Sequence, residues 1–139
     1  MDYDKFVGMV QNRARLATSG EAIRAIHATF QTLSERLQGG EPGDLAAQLP
    51  KEIGDYLLQG GGTGERFSID EFYQRVTMRE GADLPRAVFH ARAVMSVVME
   101  AVSPGEIADI RAQLPDEYNQ LFQPEQPVQS QTGRPGQTQ

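Results

Sequence analysis

One short sequence element occurs twice in this chain, and its spacing constrains the fold more than any other feature. The residues Ala-Gln-Leu-Pro-x-Glu occupy positions 47–52 and again positions 112–117, an offset of 65 residues. At that offset, apolar residues fall on apolar residues: Ile23, Ile26, Phe30, Leu33 and Leu37 on Val88, Ala91, Met95, Val98 and Val102. A duplication of this kind predicts two similar halves, repeat one at about residues 3–58 and repeat two at about residues 67–122.

Both copies have the pattern of helices. Apolar residues recur at intervals of three and four, and no segment alternates with a period of two. Capping boxes, in which a serine or threonine is followed three residues later by glutamate, mark helix starts: they are Thr18 with Glu21, Ser68 with Glu71 and Ser103 with Glu106. The sequence therefore predicts an all-α fold, a compact helical bundle built from two similar multi-helix halves related by a pseudo-twofold axis.

Glycine, proline and glutamine mark the organisation of the chain. Its 139 residues are enough for one domain. Four glycines between positions 60 and 64 predict a Gly-rich hinge at residues 59–66. From residue 123 to residue 139 the chain is rich in Gln and Pro and contains one aliphatic residue, Val128, so we predict a disordered tail. The prediction is a single helical domain over residues 1–122, made of both repeats and the hinge.

Composition and motifs exclude several classes of protein. The absence of cysteine removes disulfide frameworks, thiolate metal sites and thiol nucleophiles. A formal net charge of −6 without a basic cluster disfavours nucleic acid as a partner. No apolar stretch reaches the ~20 residues of a membrane span, and the acidic N-terminus lacks a secretory signal, so we expect a cytoplasmic protein. The glycine segment lacks nucleotide-binding spacing, and no serine lies in a nucleophile elbow, so we predict neither cofactor nor catalytic residue.

Two acidic pairs are the symmetric chemical signal of the sequence. Glu41 with Asp44, and Glu106 with Asp109, are spaced three residues apart, so each pair shares one face of a helix. Four carboxylates that converge across a pseudo-twofold axis could bind a divalent cation. The alternative is a structural role, since Glu106 also belongs to the capping box of Ser103. We favour the structural role and keep the metal site as the alternative.

The two histidines, His27 and His90, lie in no spacing typical of a metal site or a catalytic site. His27 belongs to the polar stripe of its helix, and His90 lies near the start of an apolar one. The sequence predicts a surface or capping role for both.

The helix predicted around residues 88–102 is the most apolar segment of the chain. Its polar side chains form one narrow row, which consists of Arg92, Ser96 and Glu100. A helix of this kind is either central to the bundle or half of a protein interface. We favour the central position; in the other case, Val94, Val97 and Met99 would form the interface.

Three elements that each occur twice, a Phe-x-x-x-Val opening helix, a long Ala-rich amphipathic helix and the closing Ala-Gln-Leu-Pro-x-Glu, resemble a prokaryotic family called domain of unknown function 2267. The resemblance covers about residues 3–122 and implies a compact helical bundle of two similar halves in bacteria. It supplies no catalytic residue.

The function expected from the sequence is that of a non-catalytic protein-interaction module. Such a module would be an adaptor or scaffold, in a setting such as stress response or regulation. Its partner would be an unidentified protein or a second copy of the chain. The alternative is a domain that binds a small ligand or a divalent metal through Glu41, Asp44, Glu106 and Asp109.

Overall fold

The structure, a computed structural model, describes residues 1–123 and has helices but no strand within them. The α-helices are α1 (Tyr3–Arg13), α2 (Ser19–Arg36), α3 (Glu41–Ala46), α4 (Lys51–Leu57), α5 (Ile69–Glu80), α6 (Leu84–Ala101) and α7 (Pro104–Ala112), and a 3₁₀ helix follows at Asp116–Phe122. The predicted all-α fold class is therefore confirmed. The tail predicted at residues 123–139 lies, except for Gln123, outside the described residues.

None of the described helices is both long enough and apolar enough to cross a membrane.

The start signals predicted from the sequence coincide with the first residues of helices in the structure. Thr18 and Glu21 form a complete capping box at the start of α2: the Thr18 hydroxyl accepts the Glu21 N–H at 3.1 Å, and the Glu21 carboxylate accepts the Thr18 N–H at 3.1 Å. Ser68 and Ser103 cap α5 and α7 by accepting the N–H three residues on. The Leu49-Pro50 pair separates α3 from α4, because the residue before proline is driven to extended geometry.

The two halves of the sequence repeat are interdigitated in one bundle. Helices α2 and α6 each have 18 residues, and α4 and the 3₁₀ helix each have seven, at the 65-residue offset of the repeat. Helices α1 and α5 each contact both α2 and α6. The pseudo-twofold relation of the halves stays a prediction.

Arginine–glutamate pairs attach the first helix of each half to the second helix of the other half. Arg79 on α5 lies 2.7 Å from Glu35 on α2, and Arg13 on α1 lies 2.5 Å from Glu100 on α6. Arg75 adds a second cation 2.9 Å from Glu35. Burial alone would raise the pKa of Glu35, but hydrogen bonds from the two arginines of α5 outweigh it and hold that pKa below its ordinary value.

Helix α6 lies in the core of the bundle, where it contacts α1, α2, α5 and the 3₁₀ helix. Val94 and Val97 are 0% exposed, and Met99 is half-buried against the core. The hypothesis of an interface at these residues is therefore wrong for Val94 and Val97, because other helices of the same domain already cover them.

The glycine-rich segment at residues 59–66, which the sequence predicts as a hinge, is a loop packed on the C-terminal end of α2. The Gly62 N–H donates to the Ser34 carbonyl at 2.9 Å, and the Gly39 N–H donates to the Gly62 carbonyl at 3.0 Å. A Cβ atom at Gly62 would lie 2.6 Å from the Gly39 carbonyl oxygen, and the φ angle of Gly62 is +87°. Glycine here permits close backbone approach and a left-handed conformation, so the segment is not a free hinge.

Substitution of Gly61 tests this packing. A Cβ atom there would lie 2.7 Å from the Leu57 carbonyl oxygen and 2.9 Å from Ser34 Cβ. We expect Gly61→Ala to lower the free energy of unfolding by about 1 to 2 kcal/mol, because the added methyl overpacks the loop. Gly40→Ala is the matched control, since its Cβ would meet nothing within 4 Å. Urea denaturation compares the two variants, and equal stability would show that the loop is not packed as described.

Candidate functional site

Helices α3 and α7 contact each other and bring together the carboxylates that the sequence singled out. The carboxyl groups of Glu41 and Glu106 are within hydrogen-bonding reach of each other, and Oε2 of each is buried and has no hydrogen-bond partner. Burial, contact with Glu106 and the charges of Asp44 and Asp109 raise the pKa of Glu41 to about 7. A hydrogen bond between two carboxyl groups needs a proton on one of them, so this contact depends on pH.

The acidic cluster lacks the geometry of a metal site. Within residues 1–123, no three His, Cys, Asp or Glu side chains are grouped so that they could hold a metal ion. Asp44 and Asp109 are exposed. Ser103 accepts the Glu106 N–H at 3.2 Å, as expected of a cap, but the Glu106 side chain is 8% exposed and faces Glu41. The prediction that this carboxylate serves the capping box is therefore wrong, since α3 packs over it.

A second polar site lies at the N-terminal ends of α2 and α6. The acidic cluster lies near their C-terminal ends, where α3 and α7 follow. The second site is a cleft of about 540 Å³, formed by the α1–α2 connection, the start of α2, the α5–α6 connection and the start of α6. Its lining includes three arginines and a carboxylate–imidazole pair: Arg15, Arg24, Arg86, Glu80 and His90. We call it the arginine cleft. Its volume is within the range of about 300 to 1,000 Å³ typical of ligand sites.

Glu80 and His90 form a buried pair in the arginine cleft. Each is 6% exposed, and His90 Nδ1 is hydrogen-bonded to Glu80 Oε2. Gly81, with a φ angle of +80°, ends α5, and Asp83 caps α6 two residues later. This tight turn folds the last residue of α5 onto the second turn of α6. The prediction of a surface or capping role for His90 is therefore wrong.

The other histidine keeps a position at the surface. His27 is half-buried, stacks on Tyr56 with ring centroids 4.3 Å apart, and places Nε2 3.2 Å from Gln59 Oε1. These contacts are structural and lie outside the arginine cleft.

Arg15 lines the cleft from an unfavourable backbone conformation. Its φ angle is +56°, and within residues 1–123 no other residue except glycine has a positive φ. The Arg15 N–H donates to the Asn12 carbonyl at 3.2 Å, at the end of α1 where glycine is preferred. Gly81 occupies the corresponding place after α5, with a φ of +80°. A left-handed conformation costs an arginine about 1 kcal/mol. The backbone at Arg15 is therefore strained, while its side chain lies in the lining of the cleft.

Two guanidinium groups of the cleft are free to bind a ligand. Among residues 1–123, those of Arg15 and Arg24 have neither a hydrogen bond nor an ion pair. Arg86 lies 3.8 Å from Asp83, and both side chains are exposed. The carboxylate of Glu21 already accepts two backbone N–H groups at the start of α2, each at 3.1 Å. The cleft therefore offers unused donors on two cationic side chains.

One acceptor beside the cleft is also unused. Glu80 Oε1 is buried and has no hydrogen-bond partner, although Oε2 of the same carboxyl is bonded to His90. A buried polar atom without a partner costs about 1 to 3 kcal/mol. This oxygen is buried beside the cleft and is not accessible from it.

Sequence reasoning missed the arginine cleft, because its residues come from two segments that are far apart in the sequence. One signal was nevertheless present. The first helices of the two halves, α1 and α5, begin 66 residues apart, at Tyr3 and Ile69. At that offset Arg15 corresponds to Gly81, so the first copy has an arginine at a helix end where the second has glycine. A non-glycine residue at a place that prefers glycine is a signal that could have directed attention to this side chain.

Comparison with known proteins identifies the family of this chain. No curated protein matches the sequence. A family model described as "Uncharacterized conserved protein (DUF2267)" matches residues 3–121, which is most of the chain. This is the family that the repeated motifs resemble. The chain belongs to the DUF2267 family of uncharacterized conserved proteins.

Proposed function

We propose that this chain is a non-catalytic interaction module that binds an acidic segment of a partner protein in the arginine cleft. The observation that carries the proposal is that Arg15 and Arg24 line one cleft with no partner among residues 1–123. The chain has 19 acidic and 13 basic residues, so carboxylates are plentiful. Arg15 and Arg24 are exposed and lie in the same cleft, so their guanidinium groups are accessible to carboxylates of a partner.

Guanidinium chemistry fits this role. The planar fork of an arginine donates two parallel hydrogen bonds to one carboxylate, and it does so with geometric specificity. Leu16 and Phe89, both half-buried, add apolar walls to the cleft. A few residues of an acidic segment can thus be held by charge at the arginines and by packing beside them. An adaptor needs no catalytic group for this.

An alternative ligand for the arginine cleft is a small free acid, which would bind the arginines through the same carboxylate groups. A free dicarboxylic acid carries the same anionic groups as an acidic side chain, and the cleft volume of about 540 Å³ suits such a ligand. The number of carboxylates bound distinguishes an acidic segment from a free acid. A segment places several carboxylates along the cleft, whereas a free acid fills one site.

The proposal is tested with a fluorescein-labelled decaglutamate peptide and fluorescence anisotropy at low salt. We expect the wild-type chain to bind it and Arg24→Gln to raise Kd about tenfold, because a charge-assisted hydrogen bond contributes about 1.5 to 3 kcal/mol. Arg15→Gly should weaken binding similarly, with a stability equal to or above that of wild type, because glycine tolerates a φ of +56°. Arg66→Gln, which removes an exposed arginine outside the cleft lining, is the matched control and should change Kd less than about twofold.

Three outcomes would overturn the proposal. One is a wild-type chain that does not bind the peptide. Another is equal weakening by Arg24→Gln and Arg66→Gln, which would indicate nonspecific attraction between charges. The third is free glutamate competing with the affinity of the whole peptide, which would assign a small acid as the ligand.

A further inference from the structure

Phe89 differs in its packing from the other phenylalanines of the chain, all of which lie within the described residues. Four of them belong to the apolar core, namely Phe6, Phe30, Phe72 and Phe122, and Phe67 packs against that core. Phe89 does neither within residues 1–123; it is half-buried on α6 and lines the arginine cleft. Part of its surface is therefore accessible from the cleft.

The ring of Phe89 is also not covered by a cation among residues 1–123. Phe67, which is half-buried like Phe89, has the guanidinium groups of Arg75 and Arg36 over its ring, 3.9 and 5.9 Å from the centroid. Phe89 has instead the ring of its chain neighbour His90 beside it, with the centroids 6.1 Å apart. The accessible part of Phe89 is thus an apolar surface that no guanidinium of the described chain shields.

Cationic and apolar side chains alternate along the cleft. Arg86 and Phe89 are three residues apart on α6, so they lie on one face of the helix. Leu16, which is half-buried, directly follows Arg15 in the connection between α1 and α2. A ligand that reaches the arginines therefore also meets Phe89 and Leu16. A ligand with carboxylates alone would place hydrated charges against this apolar surface and gain nothing from it.

We propose that the acidic segment bound in the arginine cleft carries an apolar side chain, which packs on Phe89 beside the carboxylates held by Arg15 and Arg24. This inference rests on the proposed function and names the chemistry of the partner, which is a run of acidic residues with a leucine-like residue among them. A few side chains dominate the affinity of most interfaces, and aromatic residues and arginines are enriched among them. Phe89 is then the residue that selects this segment over a run of acids alone.

The apolar contact is large enough to measure. A tenfold preference in Kd corresponds to about 1.4 kcal/mol. At about 25 cal/mol per Å² of apolar surface removed from water, this preference requires about 60 Å². Partial cover of one leucine side chain by Phe89 and Leu16 supplies an area of this order. The cleft volume of about 540 Å³ accommodates such a side chain together with its acidic neighbours.

The test compares two acetylated peptides with the same C-terminal fluorophore, Glu-Glu-Leu-Glu-Glu-Glu and Glu-Glu-Ser-Glu-Glu-Glu. They have the same charge, so the attraction to the arginines is equal for both. By fluorescence anisotropy at low salt we expect the wild-type chain to bind the leucine peptide about tenfold more tightly than the serine peptide. Added salt should weaken both peptides and keep their ratio, because salt screens charges and does not screen apolar contacts.

Phe89→Ala provides the residue-level test. It should reduce the ratio of the two Kd values to about one and change the Kd of the serine peptide less than about twofold. Arg24→Gln should weaken both peptides about tenfold and keep their ratio, which separates the charged contact from the apolar one. Leu58→Ala is the matched control, since this apolar side chain is 55% exposed and lies outside the cleft lining. It should keep the tenfold preference for the leucine peptide. A thermal melt by circular dichroism verifies that the variants are folded.

Each failure has its own signature. Equal binding of the two peptides to the wild-type chain overturns the apolar contact and leaves the acidic-segment proposal intact. Binding of neither peptide overturns both. A preference that persists in a folded Phe89→Ala variant overturns the role of Phe89. The wild-type comparison decides whether the segment needs an apolar side chain even where Phe89→Ala fails to fold.

Discussion

Val97→Asp is expected to destabilise the domain strongly. Val97 is 0% exposed on α6, where four other elements of the bundle surround the helix. An aspartate there would bury a carboxylate without a partner and remove an apolar contact, at a combined cost of at least about 4 kcal/mol. Domains of this size have a total stability of about 5 to 15 kcal/mol, so a loss of this size removes a large part of it. Far-ultraviolet circular dichroism and urea titration measure the loss directly.

The matched control is Met78→Asp on α5, where the side chain is 82% exposed. It introduces the same carboxylate into a helix of the same bundle, and we expect a change within about 0.5 kcal/mol. A Val97→Asp variant as stable as the wild-type chain would contradict the core position of α6 and would return the interface hypothesis at Val94, Val97 and Met99 to consideration.

Stability is expected to fall as pH rises from 5 to 8, because of the carboxyl pair between α3 and α7. Burial and contact with Glu106 raise the pKa of Glu41 from 4.5 to about 7. A carboxyl whose pKa is higher in the folded than in the unfolded chain stabilises the fold fully below pH 4.5, and this contribution is lost as pH rises through about 7. The shift sets an upper bound of about 3 kcal/mol, and partial exposure of Glu41 reduces our expectation to about 2 kcal/mol.

Glu41→Gln separates this pair from the rest of the chain. A glutamine can donate to Glu106 at every pH, so the variant should have a nearly flat stability between pH 5 and 8 and should exceed the wild-type chain at pH 8. Glu35 has the opposite dependence, but its lowered pKa places that change below the window measured. Glu117→Gln, at an exposed position, should keep the wild-type slope. A wild-type profile as flat as that of Glu41→Gln would show that the two carboxyls do not share a proton.

The helices could be predicted because their signals are local. Thr18 with Glu21 and the Leu49-Pro50 pair act within a few residues of themselves, and the structure places helix ends there. The position of α6 was ambiguous because a buried helix and an interface helix have the same apolar pattern; only its contacts with four neighbours place it in the core. The glycine-rich segment at residues 59–66 was predicted as a hinge for a related reason. Glycine permits both flexibility and close packing. The hydrogen bond from the Gly62 N–H to the Ser34 carbonyl shows that this segment is closely packed.

The two sites differ in how far the sequence indicates them. The repeat offset marks Glu41 and Glu106 as equivalent, which indicated that they could converge. The raised pKa of Glu41 depends on burial, which no sequence pattern shows. The arginine cleft depends on tertiary structure throughout. Arg24 and Glu80 lie 56 positions apart, and neither belongs to a motif. They share a cleft because the connections before α2 and α6 meet there.

The most direct test of the central claim, that the arginine cleft binds an acidic segment, is a nuclear magnetic resonance titration of the ¹⁵N-labelled full chain with hexaglutamate. The account predicts that the largest amide shift changes fall in residues 14–24 and 80–90, the segments that form the cleft. Shift changes centred instead on the contact between α3 and α7, or no changes at saturating peptide, would contradict it.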